Sequence, residues 1–237
     1  MKTLRIPAYI GLIAMLIVPA SLCFAKDSDD EQRLQKAAQV LTEIINIPDN
    51  IPPDLIDKAE CVIVLPSVKK FAIGLGASWG KGAMVCRSGE KFDGKWGTPA
   101  AFALKAGNVG FQLGGEATDF VLLIMNPKGV NALLADEVKL GGAISAAAGP
   151  KGRDATAETD AQLKAEVLSY SRSKGLFAGI SLEGSTLRQD KDANKNLYGH
   201  DTTAKEIVLE GKVAPTAGGQ AIADALTKKS PKNLSGK

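Results

Sequence analysis

Two stretches of this chain, LPSVKKFAIGLGASWGKG (65–82) and SYSRSKGLFAGISLEG (169–184), carry glycines inside short apolar runs. Each is entered through a basic, serine-containing step. Glycine within an apolar strand strips side chains from one face, so a second backbone, a helix or a ligand can approach closely. The entry cations are Lys69 and Lys70 in the first stretch and Arg172 and Lys174 in the second. Arg can fork onto a phosphate, while Lys supplies a mobile point charge. The plainer reading is that all four are solvated turn residues that keep strand ends soluble. A scaffold open to close approach, with cations at its rim, suits binding better than catalysis.

Residues 1–25 read as an export signal: Lys2 and Arg5, then an apolar core over 10–18, then Cys23-Phe24-Ala25 as a small-residue cleavage step. That core is shorter than the roughly 20 residues of a membrane span. Acylation at Cys23 is a rival fate, against which Leu22 stands where a lipoprotein signal wants a small residue. A retained anchor is another. Cleavage predicts a periplasmic or secreted protein, peripheral on a membrane where it binds one. The mature chain has a net charge of +1, since the signal removes two cations and no acid. A near-neutral domain with 5% aromatic residues lacks the basic stripe that nucleic acid requires. Anion binding must come from local clusters.

The remaining length fits one domain, residues 26–210, followed by a flexible or partly helical tail over 211–237. Within the tail, 220–229 suits a short helix, and KKSPKNLSGK has the composition of a disordered end. Leu34, Ala37, Ala38, Leu41, Ile44 and Ile45 recur at helical spacing until Pro48. Such a helix either lies on a membrane through Leu34, Leu41 and Ile44 or packs on the domain's own sheet. Short strands are expected at 61–65, 71–78, 82–87, 100–105, 108–113, 138–148, 166–171 and 176–183, with turns at Gly80-Lys81-Gly82 and Ala106-Gly107. The run DFVLLIM (119–125) reads as a central strand. The fold class is α+β: a largely antiparallel, glycine-rich sheet able to curl toward a barrel, flanked by N- and C-terminal helices. Cys61 and Cys86 either form a disulfide, worth about 3 kcal/mol, or stay two small buried side chains. A simple up-down-up meander would set them at opposite edges.

Catalytic signatures are sparse. His200 is the single histidine, in a polar YGHDT turn, and no serine occupies a G-x-S-x-G elbow. Trp79 stands where G-x-G-x-x-G wants its third glycine, and Trp96 where a phosphate loop wants Ser or Thr. Asp190, Asp192, Asn194, Asn196 and Asp201 fall at calcium-loop spacing, but Lys195 replaces the turn glycine. Helix-cap chemistry is the simpler account of those five. No enzyme, metal or cofactor is expected.

The blocks IPPDLIDKAECVIVLPSVKK, GLGASWGKGAMVCR, TDFVLLIMNPKGVNALL, KLGGAISAAAGPKGR and EVLSYSRSKGLFAGISLEGSTLRQD resemble the bacterial branch of the SYLF domain, from about residue 30 to residue 201. Some eukaryotic members call it an actin-binding domain. The resemblance implies a non-enzymatic module that binds anionic membrane lipids, phosphoinositides in eukaryotic members, with an N-terminal amphipathic segment matching 29–47. Actin bundling belongs to members with additional domains. With an export signal and no SH3- or FYVE-like region, actin is expected to be an unlikely partner, and anionic phospholipid headgroups the ligand of Lys69, Lys70, Arg172 and Lys174. An envelope structural or protein-interaction module is the alternative.

Overall fold

The computed structural model describes residues 28–47, 51–73, 75–109, 114–150 and 164–235. The expected signal at 1–25, with Cys23, and most of the loop at 149–161 lie outside them. Among the described residues are six helices and nine strands. The helices are α1 (Asp29–Ile45), α2 (Pro53–Lys58), α3 (Pro127–Leu133), α4 (Lys191–Tyr198), α5 (Ala204–Val208) and α6 (Ala217–Lys229). The strands are β1 (Cys61–Ile73), β2 (Leu75–Cys86), β3 (Ala100–Val109), β4 (Gly114–Ile124), β5 (Glu137–Lys139), β6 (Ala146–Ala148), β7 (Val167–Ser173), β8 (Leu176–Gly179) and β9 (Thr186–Gln189). The fold is α+β.

All nine strands join one curled, half-barrel sheet in the order β5-β9-β3-β2-β1-β4-β7-β6, with β8 also on β7. Every pairing is antiparallel except β6 with β7. β4 lies between β1 and β7. Its run Phe120, Val121, Leu122, Leu123 and Ile124 is buried on both faces, alternating between two cores. One core holds Ile63, Leu65, Met84, Phe102, Phe120 and Leu122 with α3 and α5. The other holds Val62, Val64, Val85, Val121 and Tyr170 under α1, α2 and α6.

α1 starts where Ser28 accepts the Glu31 N–H at 3.2 Å, with three acids in the first turn facing the positive end of the helix dipole. Its apolar stripe turns inward: Leu34, Leu41 and Ile44 are buried against the sheet and α6. The assignment of these three to a membrane is therefore corrected. The sheet presents an apolar face of its own, and burying each side chain there is worth about 1.5–3 kcal/mol.

The expected turns at Gly80-Lys81-Gly82 and Ala106-Gly107 are strand interior, so two long strands replace four short ones. β1 and β2 form one hairpin that sets Cys61 directly opposite Cys86, and the two are disulfide-bonded with Cα atoms 4.0 Å apart. The meander that separated them does not occur. The glycines answer a bulge in β1, where the register with β2 slips between Val64 and Lys69. A Cβ on Gly82 would lie 1.9 Å from the Val64 carbonyl oxygen, and one on Gly80 2.4 Å from Val68 Cγ2. The expected strand at 138–148 is two three-residue strands instead, β5 and β6.

The helix expected at 220–229 is present as α6, and only the expected disorder of the end that follows it is corrected. α6 packs Ile222, Ala223 and Leu226 into the α1 core, and the Gly218 N–H donates to Glu31 Oε1 at 2.6 Å. Ser230 is fully buried, and residues 230–235 are held by side chains from the β1–β2 end. Composition suggested a disordered end; specific hydrogen bonds hold it down.

Candidate functional site

The β1 bulge decides what becomes of the basic clusters. Ser67 adopts φ 52°, and its N–H donates to Asp119 Oδ1 at 2.9 Å. One extra residue reverses which face each later side chain takes. Lys70 then stands on the face of Phe120, its Nζ 5.7 Å from that ring centroid. Lys69 stands on the opposite face, in a cleft of about 440 Å³ with Gln32, Arg33 and Lys36 of α1 and Trp79 and Lys81 of β2. Two adjacent lysines thus serve different surfaces.

Arg172 is already engaged. Its Nε and Nη2 lie 3.1 and 2.8 Å from Asp119 Oδ2, and its Nη1 2.5 Å from Glu43 Oε2 on α1. Burial works against its charge, but its hydrogen bonds to Asp119 and then to Glu43 outweigh it and raise Arg172 above its usual range. The Arg172 contact in turn holds Glu43 below the usual carboxylate range. Lys174 is exposed in the β7–β8 turn at φ 48°, followed by Gly175 at φ 81°, and Leu176 beside it is 78% exposed. Lys174 lines a second cleft with Lys36, Ser67, Ala117, Asp119 and Arg172. Of the four cations, Lys69 and Lys174 therefore occupy neighbouring clefts joined by Lys36 and Ser67. Lys70 faces away, and Arg172 is an internal tie.

Residues that the sequence reading did not assign to the site complete this surface. Lys69 pairs with Trp79 across β1–β2, Trp79 with Lys105 across β2–β3, and Lys69 with Ala117 across β1–β4. Directly opposed residues in an antiparallel pair share a face. Lys105, Trp79, Lys69 and Ala117 therefore form one exposed row across four strands, spaced about 4.8 Å per strand. Trp79 is 48% exposed. Among the described residues no ion pair engages Lys69, Lys105 or Lys174. Lys81 and Arg33 are paired, with Asp190 at 2.7 Å and with Asp30. The row was missed because Trp79 and Lys105 meet only through strand register. Trp79 as the lone aromatic among the glycines of GLGASWGKG was the available signal.

Of the two readings of Asp190, Asp192, Asn194, Asn196 and Asp201, the structure has the helix-cap one, and the calcium-loop alternative is set aside. Residues 191–198 are helix α4, which spreads the side chains apart. Asp190 caps that helix, accepting the Ala193 N–H at 3.3 Å, and Asn194 is buried, its Oδ1 accepting the Ala101 N–H at 2.7 Å. Asp192 lies in the first turn, Asn196 donates to Asp30 at 3.0 Å, and Asp201 pairs with Lys195. No group of three or more His, Cys, Asp or Glu able to hold a metal occurs among the described residues. His200 is exposed, its Nδ1 2.9 Å from the Tyr198 carbonyl oxygen.

A family model described as "Ysc84: Las17-binding protein actin regulator" matches residues 105–229. The chain is 36% identical over 204 residues to the SH3 domain-containing protein PJ696.02 of Schizosaccharomyces pombe, covering 82% of this chain and 46% of that protein. It is 35% identical over 190 residues to LAS seventeen-binding protein 3 of Saccharomyces cerevisiae, covering 76% and 40%. It is 35% identical over 189 residues to SH3 domain-containing YSC84-like protein 1 of Homo sapiens, covering 77% and 54%. The chain spans about half the length of these curated relatives. The expectation that actin is an unlikely partner is overturned: the matching family is described as an actin regulator, and a relative is named for binding Las17.

Proposed function

The chain belongs to the Ysc84 family, the SYLF-domain family, and on that basis we propose that it is a non-enzymatic binding module whose exposed sheet face docks on anionic phospholipid. The observation that carries this reading is the in-register row Lys105–Trp79–Lys69, with Lys174 and the exposed Leu176 at the neighbouring turn. An indole suits the boundary between headgroups and acyl chains, and lysines beside it meet phosphate. Each lysine near an anionic surface contributes about 1 kcal/mol. The proposed ligand set is therefore Lys69, Lys105 and Lys174, with Trp79 and Leu176 as apolar contacts. Lys70 and Arg172 are left out. With the leader expected at 1–25, the proposed setting is peripheral on a periplasmic or outer-facing membrane. The mass of the mature protein, read for loss of those residues, tests that placement.

Co-sedimentation of the protein with vesicles tests the lipid reading. Binding to vesicles containing phosphatidylglycerol should exceed binding to pure phosphatidylcholine and weaken as salt rises. Joint replacement of Lys69, Lys105 and Lys174 by Ala should weaken it roughly 100-fold. Equal binding to both vesicles, or an unaffected triple variant, defeats the proposal.

A second reading, that the domain binds a protein of the actin-regulatory class, is favoured by the family description and the relatives' names. Actin-filament co-sedimentation that survives the triple variant would favour it.

A further inference from the structure

The residues flanking the two bonded cysteines hold the C-terminal segment. Glu60 precedes Cys61 and Arg87 follows Cys86, and the Arg87 N–H donates to the Glu60 carbonyl at 2.9 Å, extending the ladder by one step. The fully buried Arg87 donates from Nη2 to Ser230 Oγ at 2.6 Å and to the Lys232 carbonyl at 3.0 Å. Its guanidinium lies 4.3 Å from the Trp96 ring centroid, and Trp96 Nε1–H donates to the Ser230 carbonyl at 3.0 Å. Asn233 donates from Nδ2 to Glu60 Oε2 at 2.6 Å and to the Phe92 carbonyl at 2.7 Å. The Leu234 N–H donates to the Asp57 carbonyl at 2.8 Å. A guanidinium this buried is costly unless acceptors surround it. Residues 230–235, a strap across this end of the hairpin, supply two of them, while Nη1 finds no hydrogen-bond partner. Arg87 and the strap thus depend on each other, and both depend on the end of the β1–β2 ladder.

We propose that the Cys61–Cys86 bridge is a redox clasp for residues 230–235. With the bridge formed, Glu60 and Arg87 stay at the spacing that docks the strap. A dithiol reductant supplies two electrons and two protons, the Sγ–Sγ bond breaks, two cysteine thiols form, and the dithiol leaves as its own disulfide. The freed strand ends then fray locally, because terminal ladder steps open at the lowest cost. Arg87 and Glu60 lose their common placement and the strap lifts away. Both cysteines are buried, so attack follows opening of this end. The linkage is reciprocal: whatever releases the strap hastens reduction. In a reducing compartment the strap is free, and in an oxidising one it is docked.

Hydrogen exchange read by mass spectrometry on the full chain, with and without dithiothreitol, tests this. Reduction should speed exchange over 230–235 about tenfold or more while β3 and β4 keep their protection. Cys61→Ala with Cys86→Ala should do the same without reductant. Asn233→Ala, with the bridge intact, should release thiols to dithiothreitol several-fold faster than the parent. Unchanged exchange over 230–235 in a protein whose two thiols are both free overturns the proposal. So does loss of protection across the whole sheet in the reduced or doubly substituted protein, which would make the bridge a general staple. An Asn233→Ala protein reduced at the parental rate also overturns it.

Discussion

Asp119 and Arg172 sit directly opposite one another in β4 and β7, and the Asp119 carboxylate serves two masters: one oxygen takes the Ser67 N–H of the bulge, the other takes Nε and Nη2 of Arg172. Both side chains are largely covered, at 16% and 17% exposure. Removing the carboxylate leaves the Arg172 guanidinium its Glu43 contact but takes away two of its hydrogen bonds, and it frees a strained turn. Asp119→Ala should therefore cost about 2–4 kcal/mol, read as a lower urea midpoint. Asp119→Asn, which can still accept from Ser67, should cost less. Equal losses in the two variants would show that the retained acceptor for Ser67 contributes nothing beyond the charge.

The bulge also fixes a ranking among the glycines of β2. An added methyl at Gly82 meets the backbone of Val64 and Leu65, which cannot rotate aside. At Gly80 it meets a Val68 side chain, which can adjust at some cost. Overpacking costs about 1–3 kcal/mol. Gly82→Ala should fall at or beyond the top of that range and Gly80→Ala below it, by thermal or urea unfolding.

These positions also show where sequence reasoning stopped. The apolar period of α1 and the central strand at 119–125 were legible because each signal is local. Gly107 has open space where a Cβ would stand, but Gly80 and Gly82 read as turns because glycine marks a turn and a close backbone approach equally well. Only the pairing of β1 with β2 separates the two. Adjacent lysines at 69 and 70 gave no hint of the bulge, and a one-residue slip exchanges faces. Trp79 and Lys105 are 26 positions apart in sequence, and their alignment is a property of register. The order in 230–235 comes from Arg87, Trp96 and Glu60, which composition of the tail cannot reveal.

Glu166 anchors the start of β7 beside β6. Lys128 Nζ at 2.5 Å, then the Ser145 hydroxyl at 2.6 Å and the Ser145 N–H, hold its pKa down to about 2 from 4.5. A depressed carboxylate stabilises the fold above its unfolded pKa and loses that contribution as pH falls through the folded one. Stability should drop between about pH 4.5 and pH 2. Glu166→Gln should cost about 1–3 kcal/mol at neutral pH and flatten that acid limb. A variant whose acid limb matches the parent's would refute the assignment.

Glu60 should behave with the opposite sign. Burial pushes its carboxyl above the usual 4.5, with Asn233 and Ser235 pulling partly back. A raised acid pKa favours the folded state at low pH, and that gain is lost as pH rises through the folded value. Glu60→Gln keeps an acceptor for Asn233 without a buried charge, so it should be neutral or stabilising at pH 7, and its advantage over the parent should shrink toward acid pH. Urea titrations of both proteins across that range settle the sign.

Lys69 and Lys70 give the sharpest test of the proposed membrane face, because they are chemically identical, adjacent, and on opposite sides of the sheet. Lys69 shares the exposed row with Trp79 and Lys105, whereas Lys70 lies over the Phe120 ring. Charge reversal at Lys69 removes one favourable cation and adds a repelled anion, a change of about 2 kcal/mol at an anionic surface. Lys69→Glu should weaken phosphatidylglycerol-vesicle binding roughly 30-fold at low salt, and Trp79→Ala should weaken it with little change in salt dependence. Lys70→Glu makes the same change in net charge and should leave binding within about twofold. If the two reversals weaken binding equally, attraction follows total charge, and the row of side chains is not the docking surface.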